Sequence, residues 1–149
     1  MSDLAIYSSL FLSAFTAATL LPGSSEALLA GFIATEQGTL VLLLTTATIG
    51  NVMGSAVNWA LGRFLIHYRD RKWFPVSERR YNQARQWYER IGLWSLLFAW
   101  LPIIGDPLTV IAGALRTRFI LFLILVSIGK FGRYFFIMSV TLAWFGQAD

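Results

Sequence analysis

The sequence predicts an all-α integral membrane protein: an inverted repeat of two re-entrant helical hairpins, each followed by a transmembrane helix, with a cytoplasmic amphipathic connector helix between the halves. Three observations carry this. Only 13% of the 149 residues are charged and 56% are hydrophobic, whereas a soluble domain has about 25% charged residues. The stretch Leu21-Pro22-Gly23-Ser24-Ser25-Glu26 has an echo in Leu101-Pro102-Ile103-Ile104-Gly105-Asp106, so a Leu-Pro-x-x-x-acid pattern breaks the apolar sequence twice. Finally, eight of the twelve Lys and Arg residues fall between Arg63 and Arg90, while the two ends carry only the acids Asp3 and Asp149. By the positive-inside rule the middle is then cytoplasmic and both termini are outside.

A single membrane domain over 1–149 is expected, with one repeat over 4–62, a connector over 63–91 and a second repeat over 92–146. Leu4 to Leu21 is lightened by Ser and Thr and stops at Pro22-Gly23. No removable signal peptide is expected there, because Asp3 stands where a positive region belongs. The next apolar piece, Ala27 to Ala34, is too short to cross a bilayer and reads as the return arm of a hairpin, ending in the polar link Thr35 to Thr39. Leu40 to Leu61 is an uncharged spanning candidate. Its Gly50 and Gly54 form a small-xxx-small face, with Asn51 and Asn58 available to hydrogen-bond inside the bundle. That face serves either the hairpins or a second copy in a homo-oligomer.

Arg63 to Trp73 is expected to continue this helix until Pro75, and Ser77 to start another that runs to Arg90. Tyr81, Ala84, Trp87, Tyr88 and Ile91 recur at helical spacing among charged residues, which describes an amphipathic helix at the interface. The basic stretch reads as a topology signal and an anionic-lipid contact, not as a nucleic-acid site. Leu93 to Leu101 and Leu108 to Leu115 form the second pair of short arms around the break from Pro102 through Gly105 to Pro107. Phe119 to Phe145 crosses, with Gly129-Lys130-Phe131-Gly132-Arg133 in its middle and Gly129 and Gly132 as packing positions. Counting supports the repeat: 24 residues separate Glu26 from Gly50 and 23 separate Asp106 from Gly129.

Glu26 and Asp106 are acids at membrane depth, where a carboxylate is costly and is kept for a proton, ion or substrate. Capping is the plainer alternative: Ser24 or Ser25 ahead of Glu26, and Asp106 as N-cap with Pro107 as first helical residue. Lys130 and Arg133 lie three apart, on one helix face. They either neutralise the two acids or capture a lipid phosphate, and pairing at rest with exchange for phosphate satisfies both. Arg116 and Arg118 are interfacial anchors that can also receive a lipid phosphate at the cytoplasmic mouth. With no cysteine and one histidine, His67, neither a metal nor a cofactor is expected. No nucleophile-base arrangement stands out, so a transporter and not an enzyme is expected.

These motifs together, namely Leu21-Pro22-Gly23-Ser24-Ser25-Glu26 with Ala30-Gly31, Gly50-Asn51-x-x-Gly54, and Leu101-Pro102-x-x-Gly105-Asp106-Pro107 with Ala112-Gly113, resemble the DedA family, whose VTT domain is also called SNARE-associated, and most of all its short YqaA-type branch. The resemblance implies opposed re-entrant hairpins, movement of phospholipids or a polyprenyl phosphate between leaflets, dependence on the proton-motive force in several members, and the bacterial inner membrane. Glu26 matches the family's first-hairpin acid, and Pro22 and Pro102 its hairpin prolines. Ala99 and Gly105 stand where the resemblance implies arginines, and the chain starts directly at the first hairpin. The expected function is thus a lipid transporter or scramblase in which Glu26 and Asp106 exchange protons and Lys130 and Arg133 hold an anionic, phosphate-bearing lipid. An ion-coupled transporter of a small solute and a structural or assembly factor remain as alternatives.

Overall fold

A computed structural model describes residues 2–18, 24–68, 70–74, 76–101 and 104–146. Among these residues the fold is all-helical: α1 (Asp3–Ala17), α2 (Ser24–Ala34), α3 (Leu40–Leu65), α4 (Glu78–Ile91), α5 (Gly105–Ala114) and α6 (Phe119–Gly146). Two 3-10 segments, Ile66–Tyr68 and Gly92–Phe98, follow α3 and α4. Two helices are long and apolar enough to cross a membrane, one over Leu40–Tyr68 and one over Phe119–Phe145. The 15 residues of α1 reach only about 22 Å at 1.5 Å per residue, and α2 and α5 are shorter still. None of the three spans a hydrocarbon core of about 30 Å. Of the expected breaks, Pro22, Gly23 and Pro102 lie outside the described residues, and Gly105 and Pro107 stand in the first turn of α5.

Ser2 caps α1 by accepting from the Ala5 amide at 3.2 Å, with Asp3 at the positive end of the helix dipole. Ile6, Leu10, Ala14 and Ala17 form its buried stripe. That stripe meets α3 at Gly50 and Gly54, where an added Cβ would press on the Phe11 and Phe15 carbonyls. Asn51 and Asn58 donate to the Ala14 and Ala18 carbonyls at 2.8 and 2.9 Å. The Gly50-Asn51-Gly54 face is therefore used inside the chain.

On its other side α3 crosses α5 more closely still. Gly62 abuts the Val110 carbonyl and Gly113 abuts the Trp59 carbonyl, so each backbone sits where the other helix lacks a side chain. Residues 107–113 of α5 are all buried. The packing is crossed: α1 and α5 lie on α3, whereas α2 and the Gly92–Phe98 segment lie on α6. Each long helix thus receives one short element from either half.

Two expectations are corrected. The helix that begins at Leu40 stops at Leu65 instead of running to Trp73. Phe74 and Val76, each 6% exposed, draw the chain back onto Leu108 and Ile111 of α5. Part of the apolar face of α4, capped by Ser77, packs in the same cluster, where Tyr81 and Ala84 are buried, while Ile91 at its end is 40% exposed. Lastly, α5 starts at Gly105 with Ile104 as N-cap, so Asp106 and Pro107 occupy its second and third positions. The Asp106 side chain is committed elsewhere, as described below.

The α3–α5 crossing is directly testable. Gly62→Ala or Gly113→Ala drives a methyl into a backbone carbonyl that cannot yield, and should cost about 1–3 kcal/mol. At Gly31, on the exposed face of α2 with nothing within 4 Å of an added Cβ, the same change should gain about 1 kcal/mol from helix propensity. Thermal unfolding in detergent, followed by circular dichroism, should separate the two signs.

Candidate functional site

Lys130 and Arg133 project from one face of α6, and each meets one of the two acids. The Lys130 Nζ lies 2.8 Å from Asp106 Oδ1, and an Arg133 Nη lies 2.6 Å from Glu26 Oε1. A cation in hydrocarbon costs several kcal/mol unless it is paired. The sequence-predicted quartet is therefore assembled, with α2 and α5 each carrying an acid to α6.

The two pairs differ in access. The Lys130 side chain is 1% exposed and its partner Asp106 21%, while Arg133 and Glu26 are 19% and 17% exposed. Lys130 is closed in from all sides. Arg133 is not: a second Nη donates to the Trp100 carbonyl at 3.2 Å, and the side chain lines a groove of about 690 Å³. Leu97, Trp100, Ile128, Phe136 and Ile137 supply its walls, leaving the guanidinium as the only charged group in the lining among the described residues.

Glycines shape this groove. Gly129 lets α6 approach the Leu97 carbonyl, which an added Cβ would meet at 2.8 Å, whereas nothing lies within 4 Å of a Cβ added at Gly132. Gly132 leaves an open place in the wall beside Arg133. Gly105 is pressed against the Ala99 carbonyl. The two positions where family resemblance implies arginines are thus in contact with each other, and no long side chain fits at 105.

Two further features escaped the sequence reading. Ser25 and Tyr134, next in sequence to Glu26 and Arg133, share a hydrogen bond of 2.7 Å with both side chains buried. It fixes α2 against α6 beside the ion pair. The second Glu26 oxygen, Oε2, is buried and has no hydrogen-bond partner among the described residues. The only advance signal was position: a small polar and a phenolic residue flank the two charges. Arg116 and Arg118, expected near a lipid phosphate, are exposed in the turn and at the start of α6. From residue 118 to Lys130 the helix rises about 18 Å, which removes both from this site.

Lys130→Met should leave Asp106 without its cation and destabilise the protein by about 3–5 kcal/mol, whereas joint replacement with Asp106→Leu should recover most of that loss. The yield of folded, monodisperse protein in detergent and its melting temperature measure both effects.

Comparison with known proteins places this geometry. The family model of the VTT domain matches residues 21–142. The Inner membrane protein YqaA of Escherichia coli is 35% identical over 144 residues, covering 95% of each chain. An uncharacterised protein of Haemophilus influenzae is 34% identical over 135 residues, covering 84% of this chain and 80% of its own. No solved structure matches.

Proposed function

The chain belongs to the VTT-domain family, also called DedA, and from that premise we propose that it moves phosphate-bearing lipids between the leaflets of the bacterial inner membrane. The observation that carries this reading is Arg133, one cation in an apolar groove. Such a groove suits an acyl or prenyl chain, and a guanidinium suits the phosphate at its head through paired N–H donors. In this reading α1 with α2, and the Gly92–Phe98 segment with α5, are two re-entrant hairpins of opposite orientation, and the crossed packing on α3 and α6 supports their inverted-repeat relation. Both termini then lie outside and residues 63–91 in the cytoplasm.

The lipid phosphate takes the place of Glu26 on Arg133. A proton arriving at Glu26 removes the competing charge, and the unpartnered Oε2 supports this role for Glu26. Asp106 and Lys130 stay paired and hold α5 to α6 throughout, a narrower role than the phosphate contact and proton exchange that the sequence suggests for them. Because the lining offers, among the described residues, no second polar side chain besides the Trp100 indole, the phosphate is read and the rest of the headgroup is not.

In proteoliposomes of purified protein shown by circular dichroism to be folded, Arg133→Gln should slow flipping of fluorescent phospholipids at least tenfold, and Arg133→Lys should retain part of the activity. Glycerol, ethanolamine and choline headgroups should flip at similar rates. Glu26→Gln should remove any response to an imposed pH gradient. Unchanged flipping in Arg133→Gln would rule out this reading.

A further inference from the structure

Outside the groove, where α3 leaves the apolar zone, aromatic and basic residues gather. The candidate span over Leu40–Tyr68 ends with the His67 and Tyr68 rings 4.0 Å apart, and the Tyr68 ring lies 5.9 Å from that of Trp73. Trp73 is 56% exposed and Phe64 63%. Beyond them come Arg71, Lys72, Arg79 and Arg80, all exposed. Among the described residues none of these four has a carboxylate within ion-pair distance. Arg71, Lys72 and Arg80 line a cavity of about 640 Å³ with the buried Phe74 and Val76, and Asp70 and Glu78 share its lining. Four cations against two acids leave the patch basic.

Each half of this arrangement has a physical reason at a bilayer surface. Trp and Tyr prefer the headgroup level, with the ring in the apolar boundary and the polar atom in water. An unpaired Lys or Arg there gains about 1 kcal/mol from anionic lipid. The patch follows directly on the last residue of the span, so headgroups are already within reach of these side chains, whereas a soluble acidic partner has to be brought to them. Burial of Phe74 and Val76 against α5 holds the turn in place.

We propose that Tyr68, Trp73, Arg71, Lys72, Arg79 and Arg80 form a binding site for the phosphate-bearing headgroups of anionic lipids in the leaflet at which α3 emerges, separate from the Arg133 groove. Its role is to fix the end of α3 and the start of α4 at the membrane surface. It stands whether or not the groove transports lipid.

The chain has no cysteine, so His67→Cys gives a single attachment point for an environment-sensitive fluorophore on the full-length protein in vesicles. Emission should shift to the blue, and quenching by brominated lipid should rise, when phosphatidylglycerol is mixed into phosphatidylcholine. About 1 M salt should reverse this, because the screening length falls to about 3 Å. Joint replacement Arg71→Gln, Lys72→Gln, Arg79→Gln and Arg80→Gln should weaken the response roughly fivefold per cation, the equivalent of about 1 kcal/mol each. Arg71→Lys, Arg79→Lys and Arg80→Lys together should keep the response and, with circular dichroism, show that the turn still folds. No response to phosphatidylglycerol, or an unaltered response in the glutamine variant, overturns the proposal. The same shift produced by inorganic phosphate in neutral vesicles makes the site one for free anions and overturns it too, as does binding of polyglutamate with no response to lipid.

Discussion

Hydrocarbon cannot solvate a charge, and this one constraint organises the molecule. Lys130 and Arg133 sit in the middle of a long apolar helix, so each requires a counter-charge brought to it by another element. Asp106 comes on α5 and Glu26 on α2. Because the two cations are three residues apart, the two acids are drawn to one stretch of α6 from the two halves of the sequence. The crossed packing of short elements on long helices is the arrangement that allows both to arrive.

Bringing those elements together in lipid needs close backbone approach, since apolar side chains gain little by leaving one apolar medium for another. The glycines of α3 supply it twice over, Gly50 and Gly54 toward α1 and Gly62 toward α5, where Gly113 answers from the facing helix. At the far end, Thr117 ties α3, α4 and α6 together: Trp59 Nε1 donates to its carbonyl at 3.2 Å and the Tyr88 hydroxyl meets its side-chain oxygen at 2.5 Å. The ion pairs set which elements meet, and the glycines set how closely.

Much of this was legible before any coordinates. Charged residues in apolar sequence announce themselves, and the pairing of Glu26 and Asp106 with Lys130 and Arg133 follows from counting charges at depth. Ser77 as a cap and the Gly50-Asn51-Gly54 face were equally readable, because local chemistry decides them. What was not readable depends on tertiary neighbours. The amphipathic pattern of α4 is the same whether its apolar face meets lipid or α5. Asp106-Pro107 has the composition of a helix start, and only Lys130 opposite explains why the carboxylate does not cap. The unequal access of the two ion pairs, which separates Arg133 from Lys130, depends on how Trp100 and Phe136 stand around them and has no signature in spacing.

Gly132 adds something of a different kind. It stands one residue before Arg133, on the groove wall, where an added Cβ meets no other atom within 4 Å. The bore of the groove and its charge are therefore set by adjacent but independent positions. If the groove holds a lipid chain as proposed, enlarging residue 132 narrows what can enter without altering what is recognised, so a single codon would retune this scaffold between bulky branched chains and slender ones while its electrostatics stay fixed.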